Sequence, residues 1–282
     1  MASTRSTAVC AAHLATSPHL HRAGALEVRI ATSEAEIAAA QALRYRIFYE
    51  EMGARPSAEV RRAGRDVDAY DPICDHLLVI DHGSEGVPHV VGTYRLLRQV
   101  VASLHRGFYS AGEYDLAPLF RAAETGGQLL ELGRSCVAPE YRNPTTISLL
   151  WRGIASYLKT HDIGYLFGCA SLPGTDPDAH AAALSYLYHR HLAPEPLRAR
   201  ALAPHYVPMD RLPPGSYDER AAARGLPALI KGYLRVGAHV GDGAFVDRQF
   251  NTVDVFVVMP VEEITSRYFD RFIRNAHAND PA

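Results

Sequence analysis

Along most of this chain, apolar residues recur at the spacing that is typical of either a strand or a helix. Apolar runs rich in Val, Ile, Leu and Tyr, bounded by Gly, Pro or Asp, predict strands. These runs cover residues 26–30, 76–81, 88–97, 128–137, 164–171 and 252–261. Apolar residues three and four positions apart predict helices over residues 33–52, 144–160, 176–192 and 262–275, with a shorter one near 116–123. This order of strands and helices predicts an α/β fold built on one sheet.

Boundary signals support these elements. Ser33 with Glu36 three positions later forms a capping box at the first helix. The expected caps of the next two long helices are Thr145 or Thr146, and Asp176 followed by Pro177. Gly83 and Gly86 predict a hairpin between the strands at 76–81 and 88–97. Residues 54–75 and 193–227 are predicted to be irregular.

The domain organisation follows from the same pattern. Residues 1–24 are rich in Ala, Ser, Thr and His, contain no acidic residue and predict a disordered leader. Ordered structure is expected from Leu26 onward. No repeat or linker divides the remainder, so residues 25–275 are predicted to form one domain.

Composition excludes several functional classes. The 29 Lys and Arg residues against 31 Asp and Glu give a net charge of -2, which argues against a general nucleic-acid-binding protein. No apolar run approaches the roughly 20 residues that cross a bilayer. The four Cys residues are widely spaced and are expected to be reduced thiols. No His or Cys pattern has metal-ligand spacing, so no metal site is predicted.

Charged residues within apolar elements are the first candidates for chemistry. Arg95, Glu131 and Arg134 interrupt predicted strands, and burial of such charges is costly unless they are paired. One interpretation is purely structural: Arg residues pair with Glu131 and the acidic residues of segment 66–71 and hold that loop over the sheet. Gly133 permits a β-bulge, which would place Glu131 and Arg134 on one side of the strand and leave backbone N–H groups unpaired.

Four motifs then support a family resemblance. LRYRIF, DVDAYD, VVGTYRLL and LELGRSCV occur in this order at residues 43–48, 66–71, 90–97 and 130–137. They resemble the acyl-homoserine-lactone synthases, a branch of the GNAT N-acyltransferases that uses acyl carrier protein. The residues that match the family's motifs are Arg44, Phe48, Asp66, Asp68, Asp71, Arg95, Glu131 and Arg134. Asp66 departs from the family, which usually carries Glu there.

A closer resemblance extends over residues 26–270. Further blocks include YLFGCAS, LPALIKGYLRVGAHVGDGAF and DRQFNTVDVFVVMPV. They are similar to the bacterial ornithine–acyl-carrier-protein N-acyltransferases, and the C-terminal blocks are specific to that branch. The resemblance implies a GNAT-like fold with a mixed sheet flanked by helices and a family-specific C-terminal extension.

The same resemblance implies a reaction. A 3-hydroxyacyl or other fatty acyl group would pass from an acyl carrier protein thioester to the α-amine of ornithine, the first step of ornithine lipid synthesis. The implied partners are acyl carrier protein and ornithine, with no cofactor besides the carrier's phosphopantetheine. The implied location is the cytoplasm, and peripheral contact with the inner membrane follows only from the lipid nature of the product.

Residues 142–147 bear on the acyl donor. GNAT enzymes that use acetyl-CoA carry R/Q-x-x-G-x-G/A here, and its bare amides bind the CoA diphosphate at a helix N-terminus. In this chain Thr145 and Ile147 replace the small residues, and Pro144 lacks an N–H group. Such a site suits the single phosphodiester of phosphopantetheine better than a diphosphate. Arg142 is retained as a substrate-binding candidate.

The candidate roles are as follows. Glu131 is expected to accept the amine proton or to orient the amine. Amides at Leu132, Gly133 and Arg134 would stabilise the oxyanion. Arg95 and Arg134 would either hold Glu131 or bind the amino-acid carboxylate.

Further roles remain open between alternatives. Asp66, Asp68 and Asp71 would either tether the N-terminal loop or bind the δ-amine of ornithine. An acyl-enzyme on Cys136 is disfavoured because no His neighbours it in the sequence. Candidate landing surfaces for the acidic carrier are Arg61, Arg62 and Arg65; Arg98 with Arg106; and Arg190, Arg198 and Arg200. Rival functions are acyl-homoserine-lactone or other N-acyl amino acid synthesis, and a non-catalytic module that binds acyl-ACP.

Overall fold

A mixed sheet of ten strands organises the computed structural model, which describes residues 21–83 and 88–264. The strands are β1 (His21–Ala23), β2 (Leu26–Ile30), β3 (Asp75–Asp81), β4 (His89–Arg98), β5 (Tyr114–Asp115), β6 (Gln128–Val137), β7 (Ile163–Pro173), β8 (Arg200–Ala201), β9 (His239–Asp247) and β10 (Thr252–Pro260). Their order across the sheet is β1-β2-β3-β4-β6-β7-β10-β9-β8-β5. Neighbours are antiparallel except for the parallel pairs β6–β7 and β8–β9.

Helices cover both faces of this sheet. They are α1 (Glu34–Tyr45), α2 (Ala58–Ala63), α3 (Gln99–Leu104), α4 (Ala117–Gly126), α5 (Pro144–His161), α6 (Ala181–His191), α7 (Glu219–Gly225) and α8 (Ala228–Arg235). A π-helical turn over Arg46–Glu51 continues α1. The α/β class predicted from the sequence is therefore confirmed.

Several predicted elements form as their local signals indicate. The strands at 26–30 and 128–137 have the predicted bounds. The Ser33 hydroxyl accepts a hydrogen bond from the Glu36 amide at the start of α1. The strands at 76–81 and 88–97 pair antiparallel as β3 and β4. At these positions the apolar pattern and the boundary residues favour the same secondary structure, so the local sequence is enough to predict it.

Other predictions about local structure are wrong. Asn143, rather than Thr145 or Thr146, caps α5 by accepting a hydrogen bond from the Thr146 amide. The segment 54–75 is not wholly irregular, because Ser57 caps the short helix α2. A 3₁₀ turn, Asp178–His180, follows Asp176 and delays the start of α6. The segment 193–227 contains β8 and α7, which are too short to give a periodic signal.

Several elements were not predicted from the sequence, among them α3 and β5 in the polar segment after β4. The strand β9 contains Gly241 and Gly243, which interrupt its apolar alternation, and α8 follows a Pro-rich segment. The strand β1 pairs with β2, so order begins before Leu26. The remainder of the predicted leader, Gly86 of the hairpin and most of the predicted helix at 262–275 lie outside the described residues. Val261–Glu263 forms a 3₁₀ turn.

Two apolar layers bury the faces of the sheet. On one face Leu150 and Ile154 of α5 belong to a cluster that includes Val28 and Leu77. On the other face an aromatic group of Phe108, Phe167 and Phe256 contacts Leu119 of α4. Each such side chain contributes about 1.5–3 kcal/mol when it leaves water. The two layers fix the strands whose ends form the site described below.

Gly168 of β7 lies directly against the backbone of β6 at Leu132. A Cβ atom at this position would lie 2.2 Å from the carbonyl oxygen of Leu132, which is backbone and cannot rotate away. We expect Gly168→Ala to lower the free energy of unfolding by about 3 kcal/mol, at the upper end of overpacking effects. Gly133→Ala is the matched control, because a Cβ there meets no atom within 4 Å. Urea unfolding of both variants checks this, and equal stability of the two would contradict it.

Candidate active site

The parallel strands β6 and β7 separate in the middle of the sheet. Their ladder ends at the pair Glu131–Phe167. Beyond this point β6 pairs only with β4, where Gly133 lies opposite Arg95 and Cys136 opposite Thr93. Residues 134 and 135 therefore face one residue of β4, and this mismatch is the β-bulge that the sequence predicted.

Arg134 is the residue that makes the bulge. Its φ angle is 50°, a left-handed conformation that is uncommon for a residue with a Cβ. The turn of the backbone brings Glu131 and Arg134 to the same cavity, whereas residues three apart on a regular strand face opposite ways. Backbone amides of this irregular stretch no longer follow the regular ladder with β4.

A cavity of about 330 Å³ opens between the separated strands. Phe48, Leu97 and Tyr233 contribute apolar and aromatic wall. Polar groups enter it from several elements: Arg95, Glu131, Arg134, Arg142, Asp247 and Asp254. An apolar cavity with few convergent polar groups is typical of a small-molecule site.

Glu131 is buried at this cavity and is fully hydrogen bonded. Its Oε1 accepts bonds from the amide and hydroxyl of Ser110, at 2.7 and 2.6 Å. Its Oε2 accepts a bond from the amide of Tyr109 at 2.8 Å. Burial raises the pKa of Glu131 above its ordinary value, and the bonds from Ser110 and Tyr109 act in the opposite direction. A carboxylate with a raised pKa is a stronger base than an ordinary one, and its fixed hydrogen bonds hold it in position.

Arginines and aspartates form a separate ion-pair network beside the cavity. Arg44 Nε contacts Asp66 Oδ2 at 2.8 Å, and its Nη2 contacts Asp71 Oδ1 at 2.8 Å. Arg95 Nη1 contacts Asp68 at 2.7 Å and Asp71 at 3.3 Å. Three guanidinium groups thus face three carboxylates once Arg134 is included, so the network is formally neutral.

Arg134 completes this network and also faces the cavity. It contacts Asp66 and Asp68 at 3.1 Å each. Its guanidinium lies over the rings of Tyr109 and Phe250. Burial acts to raise the pKa of Asp68, but Arg95 and Arg134 outweigh it and lower that pKa to about 2.

These contacts decide between roles that the sequence left open. The three aspartates tether segment 66–71 to α1, β4 and β6, as the structural interpretation predicted, and none of them lines the cavity. Glu131 contacts Ser110 and Tyr109 rather than Arg95 or Arg134, so of the two roles left open for these arginines the structure excludes the holding of Glu131. The reason is that the aspartates occupy both guanidinium groups.

The predicted site residues therefore divide into two groups. Seven line the cavity: Phe48, Arg95, Glu131, Leu132, Gly133, Arg134 and Arg142. Four lie in the network behind it: Arg44, Asp66, Asp68 and Asp71. Arg44 is completely buried and acts on the site only through the loop that it holds.

The N-terminus of α5 offers few free amides. Pro144 has no N–H group, Thr146 donates its N–H to Asn143 Oδ1 at 3.1 Å, and Ile147 donates to the Asn143 carbonyl. Arg142 pairs with Glu51 at 2.7 Å at the cavity edge. The amides that would bind a diphosphate are thus largely occupied within the protein.

Cys136 lines the cavity but is a poor nucleophile. Burial raises the pKa of its thiol to about 12, so it stays protonated near neutral pH. We expect Cys136→Ala to keep at least about half of the wild-type acyl-transfer rate, and intact-protein mass spectrometry of the wild type to detect no acyl-enzyme. Loss of activity together with a trapped thioester on Cys136 would contradict direct transfer.

Three carboxylates near the cavity were missed by the sequence analysis, which predicted no metal-ligand group. Oxygens of Glu113, Asp247 and Asp254 lie within 4.8 Å of one another, close enough to share a cation. Asp254 interrupts the apolar run of β10 as Glu131 interrupts that of β6, and this signal was available. Glu113 follows a polar segment without a periodic pattern, so nothing in the local sequence indicates that it lies beside Asp247 and Asp254.

The Glu113 carboxyl gives a pH-dependent contribution to stability. Burial and the nearby charge of Asp254 raise its pKa to about 8 from 4.5, with smaller effects from Asp247 and Glu131. Between these values the folded protein keeps a proton that the unfolded chain loses, so stability falls as pH rises. We expect Glu113→Gln to flatten this fall between pH 5 and 8 in urea unfolding. An unchanged pH profile would contradict the assignment.

The candidate basic surfaces differ in their surroundings. Arg190 pairs with Glu219 and Arg200 with Asp242 on the surface. Arg61 and Arg62 are exposed on α2, whose Val60 contacts the aromatic group that includes Phe48. The α2 surface therefore adjoins the cavity wall.

Comparisons with known proteins place the chain in a family. Residues 43–152 match the model of the acetyltransferase (GNAT) domain. L-ornithine N(alpha)-acyltransferase of Agrobacterium fabrum is 51% identical over 253 residues, 89% of this chain and 86% of that protein. The chain belongs to this acyltransferase family.

Two further relatives carry the same name. That of Brucella abortus is 48% identical over 92% of each chain, and that of Rhodobacter capsulatus is 44% identical over 88% of this chain and 95% of the relative. The resemblance inferred from the motifs is confirmed, and the protein is an acyltransferase with a GNAT fold. Within the described residues, every helix is too short or too polar to cross a membrane.

Proposed function

We propose that the protein transfers a fatty acyl group from an acyl carrier protein thioester to the α-amine of ornithine, the first step of ornithine lipid synthesis. The relatives named as L-ornithine N(alpha)-acyltransferases support the acceptor. The observation that carries the chemistry is Glu131, a buried carboxylate in an apolar cavity beside the bulge of β6.

The reaction follows from this arrangement. Glu131, directly or through one water, accepts a proton from the α-ammonium group, because only the neutral amine attacks. The amine nitrogen forms a bond to the thioester carbonyl carbon, and amides at the bulge stabilise the oxyanion. The C–S bond then breaks, the leaving sulfur takes up the proton that the attacking nitrogen loses, and the amide product forms; Glu131 returns its proton to solvent. Fixed hydrogen bonds from Ser110 and Tyr109 keep Glu131 oriented throughout.

The acyl donor is inferred from the helix N-terminus and the cavity edge. A CoA diphosphate needs several free amides, and those of Thr146 and Ile147 are already engaged. A carrier-bound phosphopantetheine presents one phosphodiester and needs fewer donors. The exposed Arg61 and Arg62 next to the cavity wall suit an acidic carrier protein. We place the reaction in the cytoplasm, from which the lipid product enters the inner membrane.

A direct assay tests this proposal. Purified protein is incubated with 3-hydroxyacyl-ACP or the matching acyl-CoA and a panel of amino acids that includes ornithine, and with S-adenosylmethionine separately. Mass spectrometry should detect N-acylornithine, formed at least about ten times faster from the carrier-bound donor. A different acylated amino acid, an acyl-homoserine lactone or no product would overturn the acceptor. Equal rates with acyl-CoA and acyl-ACP would contradict the proposal that acyl carrier protein is the preferred donor.

A further inference from the structure

A second group of charges differs from the arginine–aspartate network: Asp247 and Asp254 line the cavity, and Glu113 lies next to them. Glu113, Asp247 and Asp254 are each less than one-tenth exposed, and their oxygens lie within 4.8 Å of one another. Throughout residues 21–83 and 88–264, no Lys, Arg or His pairs with any of the three. Buried carboxylates without a cation are costly, so their retention needs an explanation.

Asp254 adds an independent observation. Its side chain is 6% exposed and lines the cavity, yet its Oδ1 lacks a hydrogen-bond partner in the described part of the chain. The Oγ1 of Thr252, also on β10 and at the cavity, lacks one too. Buried polar atoms are rarely left without partners, and two such atoms at one cavity point to a ligand or water that pairs with them. A donor that enters the cavity would satisfy both atoms.

We propose that the carboxylates of Glu113, Asp247 and Asp254 bind the side-chain ammonium group of a diamino acid acceptor. This inference rests on the proposed function and assigns the part of the site that selects ornithine. The ammonium supplies three N–H donors and the positive charge that the group lacks. Asp66, Asp68 and Asp71 are excluded from this role because arginines already neutralise them.

The separation between the carboxylate group and Glu131 suits a diamino acid. Contacts of 2.6 Å (Glu131 Oε1 to Ser110 Oγ), 3.6 Å (Ser110 Oγ to Cys169 Sγ) and 3.2 Å (Cys169 Sγ to Glu113 Oε2) connect the two. They hold the two carboxylates less than about 10 Å apart. In ornithine, five single bonds of about 1.5 Å separate the two nitrogens, a span of up to roughly 6 Å. With the α-nitrogen at Glu131, the δ-nitrogen therefore reaches the carboxylate group.

The electrostatics of the cavity favour the same ligand. The arginine–aspartate network is neutral and Arg142 is paired with Glu51, so neither balances a negative charge that forms on Glu113, Asp247 or Asp254. Burial raises the pKa of Asp254 to about 6, with a contribution from the nearby charge of Asp247. A bound ammonium group would lower these raised pKa values and restore the ionised forms.

A divalent metal fits this group less well. Mg²⁺ and Ca²⁺ take six or more oxygen ligands. Asp247 Oδ1 already accepts hydrogen bonds from the amides of Gln249 and Phe250, and the Cys169 thiol donates to Glu113. These bonds occupy one oxygen of Asp247 and one of Glu113, so an ion here would take much of its coordination shell from water. A metal is therefore an outcome of the test below that would overturn the proposal.

The test compares ornithine with norvaline, which has the same carbon chain without the δ-amine. For the wild type, kcat/KM for ornithine should exceed that for norvaline by at least about 100-fold. Asp254→Asn and Glu113→Gln should lower kcat/KM for ornithine at least about 20-fold, mainly through KM, and change that for norvaline less than about 3-fold. Asp242→Asn is the matched control on β9, because Asp242 pairs with Arg200 and Tyr206 and does not line the cavity.

Each other outcome has a defined meaning. Equal losses for both amino acids would indicate a structural role and overturn the proposal, as would no loss for ornithine. Activity that EDTA removes and Mg²⁺ or Ca²⁺ restores in the wild type, but not in Asp254→Asn, would identify a metal site and overturn it. Calorimetric binding of ornithine, lost in Asp254→Asn, supports the ammonium site even if the assay of the proposed function yields no N-acylornithine.

Discussion

Glu131→Gln should abolish nearly all acyl transfer, with a decrease in kcat of about 10²–10⁴-fold, the range of a general base. The amide cannot accept the proton of the α-ammonium group, whereas the cavity and the bulge remain. The measurement is the rate of N-acylornithine formation under saturating acyl-ACP and ornithine. Wild-type turnover in this variant would remove Glu131 from the chemistry.

Controls separate this chemical effect from a folding defect. Gln presents one acceptor oxygen where Glu131 accepts three bonds, so we expect a loss of stability of about 1–3 kcal/mol, measured by urea unfolding. Glu124→Gln, an exposed change on α4, should alter neither rate nor stability. Ser110→Ala removes one donor to the carboxylate and should raise its pKa. The acidic limb of kcat/KM against pH should then move to higher pH, which a merely structural residue would not cause.

Arg44→Met should lower the free energy of unfolding by about 3–5 kcal/mol, the cost of removing one partner from a buried ion pair. Arg44 is completely buried and contacts both Asp66 and Asp71. Its loss leaves the network with one excess negative charge away from water. Urea unfolding measures the change.

The matched control for Arg44 is an exposed ion pair. Arg190 contacts Glu219 at 2.9 Å and is 58% exposed. Arg190→Met should therefore cost less than about 1 kcal/mol. Similar small losses in both variants would show that the buried network does not hold segment 66–71 in place.

Much of the fold and the centre of the site could be predicted from the sequence. The strand that carries Glu131 has a long apolar pattern, and a charged residue within such a strand is conspicuous. Gly133 signalled the bulge next to Arg134, although the left-handed residue is Arg134 itself. These features are local, so a single segment contains the information that determines them.

Which side chains contact each other at the site depends on the whole fold, so these contacts could not be predicted from single segments. One of the two alternatives placed Glu131 against Arg95 or Arg134, but its hydrogen-bond donors are Ser110 and Tyr109, from a segment without a periodic pattern. Glu113, from the same segment, meets Asp254 of β10 only because a long connection returns β10 beside β7. Long-range pairing of this kind has no local sequence signal.

The most direct measurement is a structure of the protein with N-acylornithine bound. The account predicts the acyl chain in the cavity and the amide nitrogen within about 3.5 Å of the Glu131 carboxylate or joined to it by one water. The δ-ammonium group should lie against Asp254. Product bound in another cavity, or with its amide directed away from Glu131, would contradict the account.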